Sequence, residues 1–103
     1  MFVHAVYFWL RKDLSEAEQA HFVSGLQSLR SIEQVHACYI GQPASTARPV
    51  IERGYSYALM LVFTDENAHD EYQRHAVHDR FRETCGSYWD QVRIFDSVDE
   101  MGV

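Results

Sequence analysis

The chain has 103 residues and a formal net charge of −6, from fifteen acidic against nine basic residues. That length suits one domain with a core of its own, and a composition 47% hydrophobic and 14% aromatic excludes a disordered chain. The acidic balance excludes a general binder of the phosphate backbone, so no nucleic-acid partner is expected.

The first element is a strand over Phe2 to Leu10, rich in β-branched and aromatic residues and interrupted only by His4. This apolar run is about half the length needed to cross a bilayer. It has no basic segment before it and no small-residue cleavage site after it. Neither a membrane span nor a secretory signal is expected, and the expected location is the cytoplasm. A helix follows, with Ser15 as N-cap and Glu18 three residues on, a capping box. Phe22, Leu26 and Leu29, with Val23 beside them, give it one apolar stripe. Arg30 falls near its end, where the helix dipole favours a cation.

Val35 to Gly41 reads as a second strand, and Gln42 to Gly54, which holds Pro43 and Pro49, as a loop. Tyr55 to Thr64 is the strongest strand pattern in the chain. Asp65 then offers an N-cap for a helical pattern running to about Tyr88. In its second half Val77, Phe81, Thr84, Cys85 and Tyr88 share a face. A last strand, Gln91 to Ser97, completes the order βαββαβ. No linker, repeat or low-complexity tract divides the chain, so residues 1–103 read as one domain. Cys38 and Cys85 give neither a disulfide framework nor a zinc-type pairing and read as two buried free thiols.

The order βαββαβ is the ferredoxin-like arrangement of an α+β protein, an antiparallel sheet with both helices on one face. Alternation places His4, Val6 and Phe8 on one face of the first strand and Val3, Ala5, Tyr7 and Trp9 on the other. The third strand is likewise apolar on both sides. Two helices cover only one face of a sheet, and so large an apolar patch does not stay open in a monomer. A second copy of the chain, in a two-fold homodimer, is the expected cover.

Six histidines raise the question of metal or acid–base chemistry. His75 and His78 stand at i, i+3, close enough on a helix to share a ligand. No further ligand follows at comparably specific spacing, so no metal and no cofactor is expected. Tyr72 and His78 form the second constellation. An imidazole bordering an apolar pocket is held neutral by desolvation, which suits a general base, and a tyrosine hydroxyl nearby can polarise a carbonyl. The alternative is a core histidine and a core tyrosine, each satisfied by a backbone carbonyl. His4 interrupts an apolar strand and needs a partner if buried, for which Tyr72 or His78 is the candidate. The alternative for His4 is an edge position wetted by solvent. His21, His36 and His69 carry no assigned role.

Several short motifs resemble one family when taken together. The early His4, the Gly54-Tyr55 entry to the third strand, the Tyr72…His75-x-x-His78…Phe81 segment and the closing Ile94-Phe95-Asp96 resemble the stress-responsive A/B barrel (Dabb) family over nearly the whole chain. The resemblance implies a dimeric α+β barrel of two ferredoxin-like sheets packed face to face. One branch, that of the plant olivetolic acid cyclase, closes a linear polyketide without a cofactor. In that branch a tyrosine and a histidine act together in a cavity; by position they match Tyr72 and His78, and a further cavity histidine matches His4. Tyr57 stands where that branch carries another histidine, and His75 and Phe81 complete the implied substrate contacts. Ala76 stands where the family commonly has proline. In an unbroken helix Tyr72 and His78 lie about 120° apart around the axis, so they converge only if the chain bends near His75.

Two functional readings result. One is a dimeric barrel that binds a small apolar ligand or acts in a stress response without catalysis. The other is a cofactor-independent cyclase or lyase. In it His78 removes a proton α to a carbonyl and Tyr72 stabilises the enolate oxygen.

Overall fold

Strand β1 (Phe2–Leu10) lies at the centre of the molecule, paired on both edges, which accounts for its apolar residues on both faces. The computed structural model describes residues 1–99; the expected single domain also includes residues 100–103, which lie outside the described residues. After β1 come α1 (Glu16–Leu29), β2 (Ala37–Gly41), β3 (Tyr57–Phe63), α2 (Glu66–Gln73), α3 (Ala76–Cys85), a single 3-10 turn (Gly86–Tyr88) and β4 (Trp89–Val98). The four strands form one antiparallel sheet in the order β2-β3-β1-β4.

Ser15 caps α1 as the spacing predicts: its hydroxyl accepts from the Glu18 amide at 3.1 Å, and the Glu18 carboxylate accepts from the Ser15 amide at 2.9 Å. Phe22, Leu26 and Leu29 are buried. They pack on the sheet face formed by Val6 and Phe8 of β1 and Leu59, Leu61 and Phe63 of β3. Gly25 is required where α1 passes α3, because a Cβ there would stand 2.8 Å from Cys85 Sγ and 2.9 Å from Phe81 Cδ1.

The structure departs from the expected elements in three places. The strands differ at their ends, β2 beginning at Ala37, β3 spanning Tyr57–Phe63 and β4 spanning Trp89–Val98. Before β3, Ser56 is used as a clasp: its amide donates to the Phe8 carbonyl at 2.7 Å and its hydroxyl accepts from the Leu10 amide at 2.9 Å. Cys85 is buried, but Cys38 is only partly so; both are free thiols. The third departure matters most. The helical pattern from Asp65 to Tyr88 is not one helix, since the chain breaks at Arg74 and His75. His75 takes an extended conformation (φ −71°, ψ 144°), and its Nδ1 accepts from the Val77 amide at 3.0 Å. An imidazole thus does the work usual for Ser, Thr, Asp or Asn at a helix N-cap.

The far face of the sheet carries Tyr39, Met60 and Phe95, exposed to 62%, 39% and 53%. Tyr7 and Trp9 on the same face are half-covered by Tyr55 from the long connection between β2 and β3.

Candidate functional site

The break at His75 turns α3 relative to α2 and opens a space between these helices and the sheet. This cavity, of about 290 Å³, is walled by apolar side chains, among them Val6, Phe8, Leu59, Phe81 and Trp89. Val92 and Ile94 of the edge strand β4 complete it, at 39% and 51% exposure. Its polar groups are few: His4 from β1, Tyr72 and Gln73 from the end of α2, and His78 and Arg82 from α3.

Tyr72 and His78 meet edge to face, with ring centroids 4.8 Å apart. Tyr72 is 1% exposed, and its hydroxyl has no hydrogen-bond partner among the described residues. Burial pushes its phenol well above the usual range. His78 Nδ1 is shut off from solvent and also lacks a partner. Burial, with the Arg82 guanidinium second, lowers the His78 pKa below its ordinary value; Asp79 and a hydrogen bond with the Gln73 backbone work the other way. The pair therefore consists of a neutral imidazole and a neutral phenol, both with unused hydrogen-bonding capacity and both lining an apolar space. Such an arrangement can accept a proton at the ring and donate one to an oxygen.

His4 is 3% exposed and sits on the central strand, so the solvent-wetted edge position is excluded. Its partner is neither Tyr72 nor His78 but Asp96 of β4, whose carboxylate lies 2.6 Å from His4 Nδ1. The cause is register: β1 pairs His4 directly with Asp96, and the two side chains share a face. Desolvation still outweighs the carboxylate, and the His4 pKa is lowered.

Of the residues singled out in the sequence, His4, Tyr72, His78 and Phe81 line the cavity. His75 instead spends its Nδ1 on capping α3. Tyr57 lies across from Phe8 in the sheet and packs against Phe22, centroids 5.6 Å apart, away from the cavity lining. Two residues without an assigned role prove close to the site. Asp96 anchors His4, and His69 of α2 stacks on Phe2 at 4.5 Å and stands 5.0 Å from the His4 ring. The spacing of His69 and Tyr72, i and i+3 on one helix face, was the available signal for His69.

The four-stranded antiparallel sheet, with its helices on one face and a cavity between, is a ferredoxin-like α+β fold. Residues 2–99 match the Stress responsive A/B Barrel Domain, and the chain belongs to that family. Solved structures agree in fold at low identity. A crystal structure of an Arabidopsis thaliana protein superposes with a TM-score of 0.79 at 20% identity, covering 95% of this chain and 94% of the other. A dimeric ferredoxin-like protein of unknown function from Thermobifida fusca gives 0.77 at 14% identity, covering 94% and 89%. Hydroxynitrile lyase from Passiflora edulis gives 0.78 at 14% identity, covering 96% and 94%. No curated protein matches the chain in sequence. No helix among the described residues is long and apolar enough to cross a membrane.

Proposed function

We propose that this chain works as a homodimer that binds an apolar small molecule carrying a carbonyl group in the cavity between sheet and helices. One observation carries the reading: the Tyr72 and His78 rings meet edge to face on an apolar cavity of about 290 Å³, and the buried His78 Nδ1 lacks a partner. Buried polar groups are ordinarily satisfied, and a tyrosine hydroxyl left unpaired at a pocket, beside a neutral imidazole, suits a ligand that supplies the missing contact. The wall of Val6, Phe8 and Leu59 receives an alkyl or aryl portion, and Tyr72 donates to the carbonyl oxygen.

The dimer is supported by the uncovered far face of the sheet, with Tyr39, Met60 and Phe95 exposed, and by the dimeric state given for the Thermobifida relative of the fold. A hollow of about 400 Å³ on that face, holding Arg93 and Glu52 among aromatic side chains, falls within the surface that a second copy would cover. Two free thiols suit a reducing cytoplasm.

A catalytic reading has its own support in the lowered pKa of His78. A neutral imidazole is a competent base near pH 7, and in this reading the Tyr72 hydroxyl stabilises an enolate as His78 takes the α-proton. That makes a cofactor-independent cyclase or lyase the second reading, in which His78→Ala abolishes turnover without dissociating the dimer. The hydroxynitrile lyase from Passiflora edulis shares the fold.

Native mass spectrometry on gently purified protein tests the main reading. Twice the chain mass plus a small adduct is expected, with the adduct lost in Tyr72→Phe/His78→Ala. A stable monomer at micromolar concentration would overturn the dimer, and an adduct indifferent to both substitutions would overturn the assigned cavity.

A further inference from the structure

Beside the cavity, on the side of His4 facing β4 and α2, three side chains from separate elements converge. His4 comes from the central strand, Asp96 from the edge strand and His69 from the second helix. Each offers one donor atom, and the three donors lie within 4.8 Å of one another. This is the group of metal-ligating side chains that the described residues bring together; the His75-x-x-His78 pair drawn from the sequence is not part of it. We propose that His4, His69 and Asp96 form a binding site for a first-row transition-metal dication such as Zn²⁺ or Co²⁺.

The donor set points to that class. Two imidazoles and one carboxylate suit borderline metals, whereas Mg²⁺ and Ca²⁺ take oxygen donors. Distances also fit after a small adjustment. An ion about 2.0–2.2 Å from each donor holds them roughly 3–3.5 Å apart. The His4–Asp96 contact of 2.6 Å therefore opens to admit the ion, while His69 draws inward. The flexibility needed lies in the right places: His4 is fixed in the core, but the Asp96 side chain is 40% exposed on an edge strand, which also gives the ion a path in from solvent.

An orienting group is already present. His69 Nδ1 lies 3.1 Å from the Asp70 carboxylate, leaving Nε2 to face a ligand. A carboxylate behind a ligating imidazole in this way fixes its tautomer and ring orientation. Gln73 Nε2, 3.3 Å from His69 Nε2, must turn aside when the ion binds. Three protein donors leave at least one coordination position for water or a ligand atom. Because His4 also lines the cavity, an ion here sits next to the space proposed for the small molecule. The site itself does not depend on that cavity being occupied.

The test uses the full chain, stripped with EDTA, passed into chelator-free buffer and titrated with Co²⁺ under absorption spectroscopy, with Zn²⁺ as competitor. One Co²⁺ per chain is expected, with a d–d spectrum that Zn²⁺ abolishes. His69→Gln and Asp96→Asn should each weaken binding about tenfold or more, while the exposed His36→Gln binds as wild type. Circular dichroism of each variant checks that folding is intact, and the exposed position of Asp96 keeps the test available if His69→Gln misfolds. Absence of saturable binding, or binding unchanged in folded Asp96→Asn, would overturn the proposal.

Discussion

Replacing Ala76 with proline should stabilise this protein. In the interior of a continuous helix a proline costs about 3 kcal/mol or more, because it removes an amide and collides with the carbonyl four residues back. Here that carbonyl belongs to Tyr72, and it accepts from the His75 amide at 3.1 Å. Ala76 is the first residue of α3, the position where proline is favoured, and its side chain is exposed. The residue before a proline must be extended, and His75 already is, at φ −71° and ψ 144°. With no native strain to offset it, the smaller entropy of the unfolded chain gives a gain of about 0.4–1 kcal/mol. Thermal unfolding by circular dichroism, at fixed protein concentration because a dimer's midpoint depends on it, should show a rise of about 2–8 °C. A loss near 3 kcal/mol, or an unfolded variant, would mean that the helix runs through His75. The geometry that brings Tyr72 to His78 would then be wrong.

Four other outcomes follow from the same structure. His75→Ala removes the acceptor for the Val77 amide and should cost about 1 kcal/mol in urea unfolding, whereas His75→Asp, itself a good cap, should recover most of it. Gly25→Ala gains helix propensity but drives a Cβ to 2.8 Å from Cys85 Sγ, so it should destabilise by about 1–2 kcal/mol; Cys85→Ala in the same chain should recover part of that loss. Asp96→Ala leaves the buried His4 imidazole unsatisfied and should cost about 1–3 kcal/mol in metal-free buffer. His4 and His78 both have folded pKa values below the unfolded one, so their contribution to stability is whole above the unfolded value. It is lost as the pH falls from there through the folded values. The His78 ring signals in NMR should accordingly titrate below about 6.5, and a midpoint at or above that value contradicts the assigned burial.

The parts of this molecule that could be read from the sequence are those governed by local chemistry. The Ser15–Glu18 box, the Phe22–Leu26–Leu29 stripe and the two-faced apolar pattern of β1 each depend on residues within a few positions, and each stands where expected. His4, Tyr72, His78 and Phe81 were placed near one another by resemblance, and the structure gathers them on one cavity. The break between α2 and α3 was not legible, because histidine is a weak N-cap signal and Ala76 supplies none of the stiffness of proline. Nor was Asp96 as the partner of His4, since the pairing depends on the register of two strands ninety-two residues apart in the chain. His69 carries only the weak signal of its i, i+3 spacing to Tyr72, because α2 is short and mostly polar and that one pair does not mark a histidine as turned inward.

Ligand binding in the cavity is tested by an intermolecular NOE experiment on isotope-labelled protein with 2-nonanone, a ketone with an apolar chain. Contacts are expected from the alkyl protons to the methyl groups of Val6, Leu59 and Ile94, and from the protons flanking the carbonyl to the His78 and Tyr72 rings. Contacts confined to the far face of the sheet, around Tyr7, Trp9 and Phe95, or none at all at saturating ketone, would contradict binding in the cavity.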